Sequence, residues 1–286
     1  MKTSVLILNW NSSDETIRLH SEIKKLNAGF NVTVIDNSSR PKDQENLRRH
    51  IPSEDFIQSG KNLGYSWGNN FGLRKAIENG YDCACILNPD ILIKDNFISP
   101  LVSQLETNPQ IAAIGPRVCY REREDTIYSD GGVVDLSGGF HTRHQHYNKP
   151  VSEVPAKVRD VDYVHGGAML LNLKAVKDVG LLDESLFMYF DEVEWCLRAK
   201  QAGWRLVADP RVTVFHLTSP KGPAYHFYMV RNRIWVAKRF GRGRPTLTCV
   251  ARDLYYELRQ NLARAKWPGN HFMSRIRGFL SGLLSQ

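Results

Sequence analysis

The feature that most constrains the fold is an alternation of short apolar runs with amphipathic stretches over the first 116 residues. Runs of this kind, rich in Val, Ile and Leu and followed by Asn, Asp or Ser, are typical of buried strands. The predicted strands cover residues 4–9, 32–36, 55–59, 83–88 and 111–115, and the predicted helices cover about 13–26, a segment after Pro41, 67–79 and 95–106. Buried strands that alternate with helices indicate βαβ units, so we predict an α/β fold with a mainly parallel central sheet flanked by helices.

The pattern changes after residue 116. Residues 117–163 are rich in Gly, His, Arg and turn-forming residues, which predicts irregular structure with short strands. A strand, a helix and two short strands are predicted further on, at 168–173, 193–203, 205–209 and 211–216. The tail is predicted to be helical, with Pro245 opening one helix and a single apolar stripe near the end formed by Phe272, Ile276, Phe279, Leu280, Leu283 and Leu284.

Positive charge is concentrated in the last quarter of the chain. Residues 217–286 hold 13 Lys and Arg against 2 Asp and Glu, a net charge of +11, whereas the preceding 216 residues hold 25 against 28, or −3. We therefore predict one domain over residues 1–216, with halves 1–116 and 117–216, followed by a basic helical extension. Such an asymmetry suggests an anionic partner, either nucleic acid or lipid headgroups.

Composition predicts a soluble, cytoplasmic protein. Of the 286 residues, 42% are hydrophobic and 24% are charged, which is ordinary for a globular chain. No run approaches the roughly 18–20 apolar residues of a membrane-spanning helix. The first residues, MKTSVLILN, are interpreted as a core strand because an Ala-x-Ala-like cleavage site is missing. The five cysteines include no CxxC pair, which predicts free thiols in a reducing compartment.

Polar side chains stand at four successive strand ends of the predicted sheet. In an open parallel sheet, ligands bind in the crevice beyond the carboxyl ends of the strands. Turn capping is the alternative explanation for any single position, but four ends in succession favour a binding site. The residues are Asn9, Asn11, Asp36, Asn37, Ser38, Ser39, Ser59, Gly60, Asn88 and Asp90.

The glycine-containing segment GKNLGYSWGNNFGL, residues 60–73, excludes two common nucleotide-binding motifs. Its glycines are four apart and follow the third strand, whereas a dinucleotide-binding GxGxxG follows the first strand. The Walker pattern GxxxxGK[ST] is missing as well. The segment therefore does not indicate a nicotinamide cofactor or a P-loop.

Two groups of carboxylates could carry chemistry. Asp90, in LNPD, could hold Mg²⁺ or Mn²⁺, because Mg²⁺ commonly takes one or two protein carboxylates and completes its shell with water and phosphate oxygens. Asp191, Glu192 and Glu194 open the predicted helix, where acidic residues also stabilise the helix dipole. Their aromatic neighbours would raise the carboxylate pKa values by desolvation, which suits a general base. His216 follows a strand, where it is either packed or a ligand.

Seven segments, taken in order, resemble the family-2 inverting glycosyltransferases of the GT-A fold, particularly the rhamnosyltransferase-like branch. They are VLILNWN, VIDNSS, NLGYSWGNNFGL, LNPD, VHGGAMLL, YFDEVEWCLRAKQAGW and VFH, within residues 3–216. The resemblance implies a metal-dependent hexosyltransferase that uses a nucleoside-diphosphate sugar. The sugar, with dTDP-rhamnose favoured over UDP- or GDP-linked donors, would pass to a hydroxyl of a saccharide or lipid-linked saccharide during surface polysaccharide synthesis.

The resemblance also implies roles for individual residues. Residues 1–116 would bind the nucleotide sugar, and residues 117–216 would hold the acceptor and the catalytic base. The donor side would comprise Asn9, Asn11, Asp36, Asn37, Asn62, Gly64, Asn69 and Asn88. Asp90 would bind the metal, with Asn88 in place of the first Asp of the family's DxD-type motif and His216 near the same metal or diphosphate. The acceptor side would comprise Gly166, Gly167 and Ala168.

One departure from the family's pattern leaves two candidates for the catalytic base. The family usually reads Glu-Asp with the second residue as base, whereas this chain reads Asp191–Glu192. An ungapped match assigns the base to Glu192, whose extra methylene moves the carboxylate by about 1.5 Å. Small displacements can lower rates by about 10²-fold, so Asp191 stays an alternative.

The basic tail has three possible roles, and two other functions are considered for the whole chain. The final amphipathic stretch could lie on the inner face of the cell membrane, and the alternatives are packing on the domain or formation of a homodimer. A nucleotidyltransferase would need a Gly-rich, basic loop after the first strand, which NWNSSDE lacks. A non-catalytic nucleic-acid-binding protein would leave the polar strand ends unexplained, and no RNA-binding signature or zinc spacing is found, so no nucleic acid is expected.

Overall fold

A computed structural model describes residues 1–26, 28–218, 220–263 and 269–284. The chain folds into two compact units. The N-terminal unit comprises Met1–Val133, His144–Phe187 and Asp191–Thr218, and the C-terminal unit comprises Val134–Arg143, Met188–Phe190 and Ser219–Gln286. The second unit therefore takes two short segments from within the sequence in addition to the tail.

The N-terminal unit begins with the alternating strands and helices that the apolar pattern predicts. The elements are β1 (Thr3–Asn9), α1 (Ser13–Lys25), β2 (Asn31–Asp36), α2 (Pro41–His50), β3 (Phe56–Gln58), α3 (Tyr65–Glu78), β4 (Cys83–Leu87), β5 (Ile91–Leu92) and α4 (Ile98–Thr107). The five-residue strand predicted at 111–115 is longer than expected and extends through Pro116 and Arg117 to Tyr120. Arg117 was not expected in a strand interior, but it is buried because its guanidinium pairs with Asp130 at 2.8 Å.

The later elements are mostly short, as predicted for residues 117–163. They are β6 (Ile111–Tyr120), β7 (Ile127–Ser129), β8 (Gly132–Asp135), β9 (His141–His144), β10 (Arg159–Asp160), β11 (Ala168–Asn172), α5 (Leu173–Val179), α6 (Asp191–Gln201) and β12 (Arg205–His216). The two strands predicted at 205–209 and 211–216 are one strand, β12, with a register shift between Asp209 and Thr213. Helix α6 begins two residues before its predicted start, so Asp191 and Glu192 lie within its first turn.

The main sheet has the strand order β10-β12-β6-β11-β4-β1-β2-β3, with β5 beside β12 and β7 beside β6. Strand β1 is parallel to β2 and β4, and β6 is parallel to β12, as predicted for a mainly parallel sheet. Strand β11 is antiparallel to both β4 and β6. The sequence does not give this direction, because a strand buried on both faces is a continuous apolar run in either orientation.

Strand register brings the predicted polar strand ends together. Asn9 of β1 pairs with Asp36 of β2, and Asp36 pairs with Gln58 of β3. Helix α3 lies close against this edge because Gly68 has no side chain, and a Cβ there would lie 2.5 Å from Leu8 Cδ1. The carboxyl ends of β1, β2 and β4 therefore form one edge on which a site can be built.

The described part of the C-terminal unit contains three helices, α7 (Pro223–Arg239), α8 (Gly243–Ala263) and α9 (Asn270–Leu284). The predicted apolar stripe divides into two faces. Phe272, Ile276 and Phe279 pack in a core with α7 and α8, whereas Leu280, Leu283 and Leu284 are exposed. Residues 264–268 and 285–286 of the predicted extension lie outside the described part. Within the described residues, no helix is both long and apolar enough to span a membrane.

Candidate active site

The LNPD turn is fixed by backbone hydrogen bonds on both sides of Asp90. The Asn88 amide donates to the Gly167 carbonyl at 2.9 Å, and the Ile91 amide donates to the Asn88 carbonyl at 3.2 Å. Arg18 of α1 donates from Nη2 to the carbonyl oxygens of Pro89 at 3.2 Å and Ile91 at 2.7 Å. One guanidinium therefore holds the residues before and after Asp90.

Asp90 and His216 form a pair at this turn. The structure brings them together because β12 pairs with β5, which sets His216 opposite Ile91. His216 Nε2 lies 3.4 Å from Asp90 Oδ2. Burial raises the pKa of Asp90, and the nearby His216 partly offsets this.

The Asp90–His216 pair passes a test for a divalent cation. Asp90 Oδ1 and His216 Nδ1 are buried, and neither atom has a hydrogen-bond partner among the described residues. Buried polar atoms normally have partners, so an oxygen and a nitrogen left without one suggest a missing ligand. A carboxylate and an imidazole are donors that Mn²⁺ and related divalent ions accept.

The three carboxylates of α6 have three different environments. Asp191 is only 1% exposed and accepts a short hydrogen bond from Ser66 Oγ. Glu194 is buried against Arg198, whose Nε lies 2.8 Å from Oε1. Glu192 is partly exposed. Within the described residues, Glu192 is thus the one of the three carboxylates that has access to solvent and no ion pair with a cation.

Burial also perturbs the two adjacent acids differently. It raises the pKa of Asp191 to about 6, with the Ser66 hydroxyl acting in the opposite direction. It raises the pKa of Glu192 to about 7, and the neighbouring Asp191 carboxylate adds to the rise. A carboxylate that ionises near neutral pH can accept a proton from a hydroxyl more readily than an ordinary exposed one.

The segment before α6 has strained backbone. Phe187, Tyr189 and Phe190 all have φ of 66°, which is uncommon for bulky residues. The Tyr65 amide donates to the Phe187 carbonyl at 2.6 Å. Gly64 permits this contact, because its φ is +102° and a Cβ there would lie 2.2 Å from the Phe187 oxygen. Gly64, predicted to shape the donor pocket, therefore also fixes the approach to the acid pair.

Gly166 and Gly167 connect the two carboxylate regions. A Cβ on Gly166 would lie 3.5 Å from Glu192 Cδ and from the Tyr65 hydroxyl oxygen. A Cβ on Gly167 would lie 3.4 Å from Asn88 Nδ2. The glycine pair thus contacts Glu192 on one side and the LNPD turn on the other. The third predicted residue of this group, Ala168, is 0% exposed within β11 and belongs to the core.

The predicted nucleotide side is a buried hydrogen-bond network. Asn9 Nδ2 donates to Asp36 Oδ1 at 3.1 Å and to Ser39 Oγ at 2.9 Å. The Asn11 amide donates to the same Ser39 oxygen at 2.8 Å. Asn9 and Asp36 are both fully buried, so they form the floor beneath this edge. Trp10, between the two asparagines, is 50% exposed.

The remaining predicted donor residues join β2 to the loop before α3. Asn37 Nδ2 donates to Asn62 Oδ1 at 3.2 Å and to the Gly64 carbonyl at 3.1 Å. Asn69 Nδ2 donates to the Tyr65 carbonyl at 3.1 Å, and its Oδ1 is buried with no partner in the described part of the chain. Asn69 therefore has one acceptor atom available.

Sequence reasoning missed several residues that build this site. Arg18 fixes the LNPD turn, Ser66 holds Asp191, and Tyr65 donates from its hydroxyl to the Gly166 carbonyl at 2.6 Å. His165 lies within the VHGGAMLL segment, but no role was predicted for it. Tyr65 and Ser66 lie inside the NLGYSWGNNFGL segment, whereas Arg18 carries no sequence signal because exposed helices commonly contain arginine.

A separate group lies in the C-terminal unit, where His141, Cys249 and Asp253 bring potential metal-ligating atoms within 4.8 Å of one another. Arg233 Nη2 lies 2.8 Å from His141 Nε2 and donates to Cys249 Sγ at 3.4 Å. Because a guanidinium already supplies the positive charge among these groups, the cluster is interpreted as an internal polar network.

Comparison with known proteins gives a consistent result. Residues 4–180 match the family model described as Glycosyl transferase family 2. A Haloferax volcanii protein, the low-salt glycan biosynthesis hexosyltransferase Agl10, is 31% identical over 210 residues, which are 69% of this chain and 61% of that protein. This chain therefore spans less than two thirds of that relative.

Two bacterial relatives are less similar in sequence. The Mycobacterium tuberculosis N-acetylglucosaminyl-diphospho-decaprenol L-rhamnosyltransferase is 25% identical, with 68% of this chain and 70% of that protein covered. The Shigella flexneri dTDP-rhamnosyl transferase RfbF is 24% identical, with 81% of each chain covered.

Solved structures support the fold. GalNAc-T7, crystallised with UDP, GalNAc and Mn²⁺, superposes with a TM-score of 0.65 at 17% identity, covering 83% of this chain and 48% of that one. The Pyrobaculum calidifontis mannosyltransferase PcManGT, in complex with GDP-Man and Mn²⁺, gives 0.61 at 12% identity, covering 99% and 87%. The predicted GT-A fold is confirmed.

Proposed function

The chain belongs to glycosyl transferase family 2, and from that membership we propose that it is an inverting hexosyltransferase whose acceptor base is Glu192. One arrangement carries the proposal: Gly166 and Gly167 lie between Glu192 and the LNPD turn that presents Asp90. A donor sugar held across the glycines would have a metal–diphosphate site on one side and a proton acceptor on the other.

Glu192 takes the proton of the acceptor hydroxyl as that oxygen attacks the anomeric carbon. Its pKa of about 7 keeps a large ionised fraction at neutral pH and leaves the carboxylate basic enough to accept the proton. The nucleoside diphosphate leaves from the opposite face of the sugar, so a single displacement inverts the anomeric configuration. Asp191, sealed against Ser66, holds the start of α6 and raises the basicity of its neighbour.

Asp90 and His216 would hold the divalent cation, with Asn88 in the same turn. Such an ion, when bound, stabilises the negative charge on the departing diphosphate. Arg18 keeps Asp90 at the edge of the sheet by binding the carbonyls on both sides of it. Mn²⁺ accompanies the nucleotide in both structural neighbours, which supports a divalent ion here without distinguishing Mg²⁺ from Mn²⁺.

The favoured donor is dTDP-rhamnose and the favoured acceptor is a lipid-linked saccharide. Both preferences rest on relatives, one named for dTDP-rhamnose and one for a diphospho-decaprenol acceptor. The structural neighbours bind UDP and GDP-mannose, so those bases belong in any test. Surface polysaccharide synthesis is the process that these substrates imply.

The test is transfer with defined donors. Purified protein would be incubated with Mn²⁺, a synthetic lipid-linked saccharide and dTDP-rhamnose, UDP-hexose or GDP-hexose, and release of nucleoside diphosphate would be followed. We expect one donor to react. The anomeric configuration of the product, determined by NMR, should be inverted relative to that of the donor. A retained configuration contradicts the single displacement, and no transfer from any of the three donors contradicts the proposed function.

We also propose that the C-terminal unit contacts an anionic membrane surface at the inner face of the cell membrane. Helix α9 exposes Met273, Leu280, Leu283 and Leu284 beside Arg277. The region from 217 to 286 carries a net charge of +11. Exposed apolar side chains next to cations are the combination that amphipathic helices use at headgroup surfaces.

Vesicle sedimentation tests this contact. The double variant Leu280→Glu/Leu284→Glu should lose binding to vesicles containing phosphatidylglycerol, while Leu63→Glu, a comparably exposed leucine of the N-terminal unit, should not. Binding of wild type should fall as salt is raised. Unchanged vesicle binding by the double variant overturns the membrane contact, and a loss of dimer in the same variant would assign the face to a second copy of the chain.

A further inference from the structure

His165 has one nitrogen committed to the backbone and one available. The Gly167 amide donates to its Nδ1 at 3.1 Å. A nitrogen that accepts from an amide carries no proton, so the ring is the neutral tautomer with its hydrogen on Nε2.

The available nitrogen is an unused donor. Nε2 has no hydrogen-bond partner within the described residues, and the ring is partly exposed. By contrast, His144, one of two histidines beside it, has its Nδ1 3.0 Å from Ser129 Oγ. His165 therefore presents a fixed N–H that nothing in the described structure uses.

The ring also has a defined place beside the Asp90 turn. Its centroid lies 5.4 Å from that of His216 and 5.5 Å from that of Tyr128, which meets it edge-on. A Cβ on Gly167 would lie 2.8 Å from its Cε1, so only glycine admits the ring at this position. The same Cβ would lie 3.4 Å from Asn88 Nδ2, so His165 and Asn88 of the LNPD turn both lie against Gly167.

We propose that His165 donates a hydrogen bond from Nε2 to an oxygen of the donor's β-phosphate, the phosphate that carries the sugar. The assignment rests on the proposed function, since it needs a nucleoside diphosphate at the Asp90–His216 pair. The hydrogen bond strengthens as the sugar leaves and negative charge grows on the diphosphate, so it acts mainly in the transition state.

The test compares diphosphate with monophosphate binding. Wild type, His165→Leu and His165→Gln would be titrated calorimetrically with dTDP and dTMP in the presence of Mn²⁺, and UDP/UMP and GDP/GMP would be run in the same way. His165→Leu should bind the diphosphate about tenfold more weakly and the monophosphate about equally well, because a hydrogen bond to a charged acceptor is lost. His165→Gln should recover most of the affinity, since its amide N–H can stand near Nε2.

His144→Gln is the matched control, because it removes a neighbouring imidazole whose Nδ1 already has a partner. We expect it to change the ratio of diphosphate to monophosphate affinity by less than about twofold. In turnover, His165→Leu should also lower kcat by about 10²-fold, the loss that follows removal of one donor to a developing anion.

The outcomes separate this inference from the proposed function. Suppose that wild type binds a nucleoside diphosphate. If His165→Leu then lowers the affinities for diphosphate and monophosphate equally, or changes neither affinity, the proposed diphosphate contact is wrong. If wild type binds no nucleoside diphosphate, the proposed function itself fails.

Discussion

Asp90 and Glu192 are both carboxylates whose pKa values are raised by burial, yet their neighbours suit them to opposite tasks. Asp90 stands beside an imidazole and has an oxygen without a partner among the described residues, so a cation would complete its surroundings. Glu192 stands beside a second carboxylate, which raises its pKa further and favours accepting a proton. Desolvation alone therefore does not define the role of a carboxylate, whereas the charge of its nearest neighbour does.

The adjacent acids Asp191 and Glu192 also differ in their environments. Adjacent residues in one helical turn point in different directions, so Asp191 is sealed against Ser66 while Glu192 reaches solvent. The sequence alone leaves the two as alternatives. Exposure supports Glu192, and variants of both acids can test that choice against the role of Asp90.

Glu192→Gln should have the largest effect. It removes the proposed base without changing side-chain size, and kcat should fall by about 10³-fold. Nucleoside diphosphate binding, measured by calorimetry with Mn²⁺, should stay within about twofold, because the base does not hold the diphosphate. Asp191→Asn is the control, and near-wild-type turnover by Glu192→Gln together with an inactive Asp191→Asn would move the base to Asp191.

Asp90→Asn should have a different signature. We expect kcat to fall by about 10²-fold and Mn²⁺ affinity, measured by the electron paramagnetic resonance signal of free Mn²⁺, to fall at least about tenfold. Glu192→Gln should retain wild-type Mn²⁺ binding in the same experiment. Equal Mn²⁺ affinity in Asp90→Asn and wild type would show that Asp90 does not bind the metal, and would contradict the different roles proposed for the two carboxylates.

The pH dependence of kcat/KM should report Glu192. A base must be ionised to act, and its folded-state pKa is raised to about 7. Rates should therefore be level above that value and fall about tenfold per pH unit below it. A profile that stays flat down to about pH 5 would mean that no group with the raised pKa of Glu192 takes the proton.

Arg18→Met should give the smallest effect. It keeps the aliphatic stem but removes the hydrogen bonds to the Pro89 and Ile91 carbonyls that hold the Asp90 turn. Mn²⁺ affinity should fall by roughly tenfold, as for other residues that orient metal ligands. Arg74→Met, which removes an exposed ion pair with Glu184, is the matched control and should leave Mn²⁺ binding unchanged.

Sequence predicted the fold better than it predicted the site. The strands before residue 116 are buried apolar runs, and their carboxyl ends meet as parallel pairing requires. The second half of β6 was not predicted because Arg117 interrupts the apolar run. Arg117 is buried through its ion pair with Asp130, a partner that the local pattern does not show. The direction of β11 was likewise hidden, since it depends on which neighbours it pairs with.

The site was predictable where a motif is local. Asp90 and the acid pair stand in short recognisable segments, but their surroundings come from distant parts of the chain. His216 reaches Asp90 through pairing of β12 with β5, and Arg18 reaches the same turn from α1. The available nitrogen of His165 depends on a hydrogen bond from Gly167, which only the folded backbone shows.

We propose that Asp90 helps to hold a divalent cation with the nucleoside diphosphate, and that Glu192 deprotonates the acceptor hydroxyl. Thermal unfolding of wild type, Asp90→Asn and Glu192→Gln with dTDP, UDP and GDP, each with and without Mn²⁺, tests it most directly. A ligand at about 100 times its Kd stabilises the folded state by about 2.7 kcal/mol, which raises Tm by several degrees. We expect one diphosphate to raise Tm only with Mn²⁺, in wild type and Glu192→Gln but not in Asp90→Asn. An equal rise in all three proteins, or no rise with any diphosphate, would contradict it.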